Sequence, residues 1–284
     1  MNHVLSTHLF VNHRLSTVWL DKISHAGISA VEIFCARQHM DYRNPGQVAE
    51  LGHWFRDSPL KLHALHAPMY SDDAGGRTGP DSVVTITETV KAKRIAAVDE
   101  IKRALEVAET VPFQYLIQHI GVLGEEYDER KLDAAFNSLE ELSLFAHQRG
   151  VQVLIENIPN DLSSAERLVM FLNSTHLRLN FCFDVGHANM NEGVERAFET
   201  MKDKIRSTHI HDNDGKSDSH LFPFHTKEGT IDWTQTMGLL RSRPDQYPLV
   251  LELKEVAAVA DPFITAVRIF DKLESLNAAS SHRD

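Results

Sequence analysis

VQVLIENIP, residues 151–159, alternates in a way that decides the architecture. Val151, Val153 and Ile155 form a purely apolar face, whereas Gln152, Leu154 and Glu156 form a mixed face that ends in a carboxylate. Such period-two alternation marks a strand, because successive side chains point to opposite faces. The pattern recurs in LRLNFCFDV, where Phe181 and Phe183 oppose Asn180, Cys182 and Asp184. It recurs again in PLVLELK, where Leu249, Leu251 and Leu253 oppose Val250 and Glu252. Working outward, HVLSTHLFV, AVEIFC, LKLHALHAP, QYLIQHIG and RSTHIHD complete a set of eight short β-type runs. Amphipathic helical stretches at 86–110, 129–149, 193–205 and 260–276 lie between and after them. Ser163 and Glu166 are spaced as a capping box, and Gly27 and Gly150 fall where helices should stop.

Eight strand–helix units without a break in composition predict an α/β fold, a (β/α)8 TIM barrel forming a single domain over residues 1–284. A doubly wound open sheet is the alternative, but its glycine fingerprint after the first strand is absent. In a barrel one parity of each strand faces the lumen and the other packs under the helices. The apolar parity suits the helix layer. The mixed parity therefore lines the lumen, and its terminal carboxylates fall at the C-terminal strand ends, where barrel active sites are built.

Applied to every strand, this parity collects His66, His119, Glu156, Asp184, His209 and Glu252 at strand ends. His187 follows three residues after Asp184, and the stretch HIHDNDGKSDSH adds His211, Asp218 and His220. His63 has the opposite parity to His66 and is expected beside a helix, whereas His25, His53, His147 and His176 fall in or beside helices and read as ordinary surface histidines. Any one of the collected groups could be a packed core residue. Several carboxylates on strand ends, with Lys254 as the one obvious lumen-side cation, are costly to bury unless a metal accompanies them. Mixed imidazole and carboxylate donors suit zinc, manganese or cobalt, at one to three ions per chain.

Composition sets outer bounds. Hydrophobic residues are 42% of 284, ample for a core. No apolar run reaches the roughly 18 residues of a membrane helix, so no membrane partner is expected. Cys35 and Cys182 form no Cys-x-x-Cys pattern, and MNHVLSTHLF lacks the features of a signal peptide, so a cytoplasmic location is expected. A net charge of −11 disfavours non-specific DNA binding, unless bound cations invert the local field. Oligomeric state is left open.

VLIENIP, FCFDVGHAN, THIHDNDGKSDSHLFPF followed by EGTIDW, and LVLELK, in this order, resemble the xylose isomerase-like TIM-barrel superfamily. That group holds sugar phosphate isomerases and epimerases together with the endonuclease IV branch. The isomerase branch implies one divalent metal on Glu156, Asp184, His209 and Glu252, with Glu156 and Glu252 moving protons beside a carbonyl and His187 touching a substrate oxygen. The endonuclease branch implies three zinc ions on His66, His119, Glu156, Asp184, His187, His209, Asp218, His220 and Glu252. The leading expectation is an isomerase or epimerase of a small sugar or sugar phosphate; the alternative is a multi-zinc phosphodiesterase acting on abasic DNA, and nucleic acid is a partner only under that alternative. The glycine-rich turn usual after Asp-x-His is replaced by LFPFHTKEGTIDW, which leaves the role of His225 open. Glu32, Arg77, His211 and Lys254 are further candidates for substrate contact; Arg77 lies in MYSDDAGGRTGPDSV, a long loop that reads either as a surface excursion or as a lid. Arg37, after the second strand, is a candidate of the same kind, and Trp233 is expected to pack the strand-seven loop.

Overall fold

Strands β1 (His3–Ser6), β2 (Ala30–Phe34), β3 (Lys61–His66), β4 (Tyr115–His119), β5 (Gln152–Glu156), β6 (Asn180–Asp184), β7 (Ile205–His209) and β8 (Leu249–Leu251) form one parallel sheet in a computed structural model that describes residues 1–276. The hydrogen-bonded order runs from β7 back to β1 and on to β8. Ile210 closes the ring: its amide donates to the Val250 carbonyl at 2.8 Å, and its carbonyl accepts from the Glu252 amide at 3.2 Å. The predicted (β/α)8 barrel is what forms. Residues 277–284 of the expected single domain lie outside the described residues.

Helices α1 (Thr17–His25), α2 (Pro45–Asp57), α3 (Lys91–Leu105), α4 (Glu129–His147), α5 (Ala165–Asn173), α6 (Val185–Met190), α7 (Val194–Met201), α8 (Trp233–Arg241) and α9 (Pro262–Ser275) surround the sheet. Their starts are chemically specified. Asn44, Asp128, Asp232 and Asp261 each accept a hydrogen bond from an amide of the first turn. The cap of α5 is Ser164, one residue later than expected. Ser163 instead donates to Asn160, and Glu166 pairs with Arg196. The helix expected from residue 86 begins at Lys91, because the Thr87 hydroxyl bonds Glu125 and Thr85 and holds the preceding segment out of the helix. Gly27 and Gly150 end their helices at φ 92° and 72°, as their positions predicted.

Two cores result. Val153, Ile155, Phe181, Phe183, Leu249 and Leu251 pack outward under the helices. Ala64, Tyr115, Ile117, Leu154 and Cys182 form a smaller inner cluster in the lumen. The barrel is thus filled, and polar groups are raised onto its C-terminal rim. Parity breaks at two bulges: one in β7, where Arg206 is the extra residue opposite β6, and one that moves a predicted position. Between Val31 and Glu32 the β2–β3 register advances by one in β2 but two in β3, a bulge that makes His63 the extra residue. His63 therefore does not sit beside a helix; its Nε2 lies 3.2 Å from Ser207 Oγ across the lumen.

Leu154 is fully buried in the inner cluster. Leu154→Ala should lower the unfolding free energy by about 2–5 kcal/mol, measured by urea titration. An unchanged midpoint would show that the lumen is not close-packed.

Candidate metal centre

The strand ends deliver their side chains to one place. Glu32, Glu156, Asp184 and His209 are fully buried, His66 and Glu252 nearly so, and His119 half-buried. His187 arrives from the first turn of α6, whose N-cap is Asp184. His211, Asp218 and His220 come from the loop after β7. The imidazole and carboxylate donors fall into three groups, two of which share Glu156. In the first, the Nε2 atoms of His66 and His119 are 3.2 Å apart, and His119 Nε2 is 3.1 Å from Glu156 Oε2. In the second, His209 Nδ1 lies 3.0 Å from Glu156 Oε1, 3.2 Å from Glu252 Oε2 and 3.7 Å from Asp184 Oδ2. In the third, Asp218 sits 3.4 Å from His187 Nε2 and 3.2 Å from His220 Nε2, with His211 beside them. Glu156 joins the first two groups through its separate oxygens.

Divalent cations fit this donor set. Among the described residues, no Lys or Arg pairs with Glu32, Glu156, Asp184, Asp218 or Glu252; their ion-pair partners are imidazoles. His66 and His119 face each other through nitrogens that cannot both carry a proton at that separation. Asp218 Oδ1 and Glu32 Oε1 are buried without a hydrogen-bond partner. Without metal, protons hold the balance. Burial alone would raise the Glu156 carboxyl, but the His209 and His119 rings outweigh it and hold it well below the usual carboxylate range. Burial would likewise lower His187 and His209, yet the surrounding carboxylates push both well above the ordinary imidazole value. His220 rises to about 9, because Asp218 and Glu252 outweigh its burial.

Several expectations are refined. Glu32, expected to touch substrate, is sealed beneath the centre, where an oxygen lies 3.2 Å from His209 Nε2. With a metal bound, that contact would keep a proton on Nε2 and leave Nδ1, which faces Glu156, Glu252 and Asp184, as the donor. Lys254 is exposed; its amide donates to the His220 carbonyl at 3.0 Å, and no ion pair joins its ammonium to Glu252 among the described residues. Arg77 is exposed on the loop after β3. That loop is internally bonded, with Asp72 accepting from the Gly76 and Thr78 amides, and Arg37 ties it down through the Ser71 carbonyl. His225 is exposed, away from the donor groups. Trp233 packs the strand-seven loop as expected, donating to Asp212 Oδ2 at 2.8 Å. Asp212 also accepts from the Asn213, Thr230 and Ile231 amides, so the EGTIDW segment serves to brace the loop. Gly229 is required there, because a Cβ would lie 2.4 Å from Asp212 Oδ2.

Two contributors escaped the parity reading, and a third, Cys182, stands in it on the lumen face without a role. His8, just past β1, packs its ring 4.5 Å from that of His220 and bonds the Leu253 carbonyl. Asn157 clamps Asp184 by bonding both its amide and its carbonyl. Cys182 lies directly below, grouped with Glu156 and His209. The signal for Asn157 was present, one residue beyond Glu156 in ENIP; nothing in STH singled out His8.

Residues 20–273 match the family described as xylose isomerase-like TIM barrel. An uncharacterized protein of Methanocaldococcus jannaschii is 33% identical over 135 residues, covering 45% of this chain and 51% of the relative, so the match spans about half of that relative's length. A probable endonuclease 4 of Natronomonas pharaonis is 30% identical over 139 residues, 44% of this chain and 49% of that protein. Among solved structures, a D-tagatose 3-epimerase-like protein superposes with a TM-score of 0.75 at 22% identity, over 96% of both chains, a likeness of fold.

Two outcomes follow from this electrostatic arrangement. The folded His220 value of about 9 lies above its unfolded one, so its stabilisation is complete below about pH 6.5 and disappears as pH rises through the folded value. Thermal denaturation of metal-stripped protein should therefore show falling stability from pH 6.5 to 9.5, a decline that added zinc removes; parallel curves with and without zinc would contradict this. Glu32→Gln keeps the shape but loses the charge behind His209, and should weaken metal affinity by about 10–100-fold in chelator competition without loss of fold.

Proposed function

The chain belongs to the xylose isomerase-like TIM barrel family, and from that premise we propose that it is a multi-metal phosphodiesterase. One observation carries the proposal: His66 with His119, and His187 with Asp218 and His220, form donor groups on either side of Glu156, Asp184, His209 and Glu252. Proton transfer beside a carbonyl needs only the central group. In a single-metal isomerase His187 would touch a substrate oxygen, but the His66–His119 pair and Asp218 with His220 would hold no metal, and burying them would be costly. The partial match to a probable endonuclease 4 supports the same reading.

Divalent ions bound here would polarise phosphoryl oxygens and offset the charge developing on the leaving oxygen. The chain's own residues supply the frame. Glu156, with one oxygen toward each of two groups, fixes the spacing of those groups. Asn157 immobilises Asp184, and Glu32 holds the His209 ring. Phe34 stacks on the His66 ring at 4.5 Å and excludes water from that side. The chain's acidic balance makes a local cationic centre the principal attraction for an anionic diester.

The sugar isomerase reading, with Glu156 and Glu252 as the acid–base pair on a sugar or sugar phosphate, is favoured by the self-contained central group of Glu156, Asp184, His209 and Glu252. The two separate on one comparison. Under the phosphodiesterase reading, Asp218→Asn should reduce hydrolysis of bis(p-nitrophenyl) phosphate and of an abasic-site duplex by about 10–100-fold. If Asp218→Asn is silent on those substrates while Glu252→Gln abolishes solvent deuterium exchange into a ketose, the protein is an isomerase.

A further inference from the structure

The third donor group differs from the other two in how its rings are held. His187 Nδ1 lies 3.0 Å from the Asn157 carbonyl, closer than Glu156 Oε1 at 3.4 Å. His220 Nδ1 lies 2.8 Å from the Glu252 carbonyl; His211 Nδ1 is 3.4 Å from the Asp212 carbonyl, and its Nε2 lies 3.2 Å from Asp184 and 3.8 Å from Asp218. A carbonyl only accepts, so Nδ1 of His187 and of His220 carries a proton, and the Nε2 of each becomes a donor once a metal displaces its second proton; His211 Nε2 would turn from Asp184 to the same ion. These three Nε2 atoms converge on Asp218, at 3.4, 3.2 and 3.8 Å. Asp218 Oδ1 has no hydrogen-bond partner. Three ring nitrogens and a carboxylate oxygen, all mutually within 4.8 Å, are held together only by protons or by a cation that displaces them.

The surroundings are shaped to admit His211. A Cβ on Gly186 would lie 2.1 Å from His211 Cε1, so only glycine in the first turn of α6 leaves room for the ring. The His211 and His220 rings stack at 4.0 Å, 20° from parallel, which brings their Nε2 atoms to the same side. His220 takes a φ of 47°, a conformation rare for a residue with a side chain, and is held in it by the bond from the Lys254 amide.

We infer that His187, His211, Asp218 and His220 form a closed, four-donor zinc site in which His211 is a protein ligand rather than a substrate contact. The inference rests on the multi-metal reading above and deepens it. Four donors from the chain complete a tetrahedral shell, so this ion is a fixed charge. The group of His66, His119 and Glu156 supplies only three donors and is the one that retains a position for an incoming oxygen.

Cobalt(II) titration of the metal-stripped protein tests this, because four-coordinate cobalt absorbs far more intensely in the visible than five- or six-coordinate cobalt. Wild-type protein should take up more than one equivalent with intense visible absorption, because the central group also offers four donors. His211→Ala should bind one equivalent fewer and lose the part of that intensity contributed by its site, and His211→Cys should gain a thiolate-to-cobalt charge-transfer band. The cysteine variant decides the matter if the alanine variant does not fold, and absence of that band overturns the assignment. Undiminished uptake with an unchanged spectrum in His211→Ala overturns this inference while leaving the multi-metal proposal standing. Uptake of a single equivalent by wild type, lost in Glu252→Gln but not in His211→Ala, overturns both.

Discussion

The rest of this molecule depends on one electrostatic constraint. Glu32, Glu156, Asp184 and Glu252 are buried at one end of the barrel with Asp218 beside them, and the groups that face them are imidazoles, not lysines or arginines. Isolated carboxylates in such a place would protonate. Here Glu156 and Asp184 are held ionised by rings such as His209 and His187 that are themselves driven to bind protons, a balance that a divalent cation would supply more effectively. The raised imidazoles and lowered carboxylates are two sides of one displaced charge. Metal affinity must then rise with pH, since each ion competes with the protons that stand in its place.

Backbone geometry makes this concentration of charge possible. Parallel strands of a barrel deliver alternate residues to the lumen, and the inner cluster of Ala64, Tyr115, Ile117, Leu154 and Cys182 forms an apolar floor below the polar rim. That floor keeps the carboxylates out of bulk water on one side and lowers the local dielectric, which strengthens every interaction above it. Bracing comes from second contacts. Glu32 behind His209, Asn157 behind Asp184 and Asp212 under the strand-seven loop contribute no donor to the three groups but determine where the donors point.

What could be read in the residues follows from how local each determinant is. Glu156 and Asp184 were legible because strand parity is set by immediate neighbours, and β5 and β6 keep strict alternation up to their last residue. His63 was misplaced because a bulge is a property of two paired strands, and neither AVEIF nor KLHALH carries its signature alone. Lys254 was assigned to the lumen by continuing the parity of β8, but β8 ends at Leu251, and beyond it the chain obeys the loop. The role of Glu32 was hidden for a related reason. It is defined by a ring donated from β7, which lies far away in sequence and meets it only when the barrel closes.

The stretch HIHDNDGKSDSH carries the remaining ambiguity and most of the individuality of the chain. Its members divide sharply once folded: Asp212, Asn213 and Asp214 are consumed by amides and side chains of their own loop, whereas His209, His211, Asp218 and His220 face the centre. The barrel itself fixes the four central donors, at or just beyond the ends of β5 to β8, together with His66 and His119 at the ends of β3 and β4. What lies beyond them depends on whether a loop can carry an aspartate and a histidine back over the rim, and here the brace around Asp212 and the left-handed turn at His220 do that. A single-metal centre would place no such demand on the loop. The conformational cost accepted at His220 is one that the multi-metal proposal accounts for.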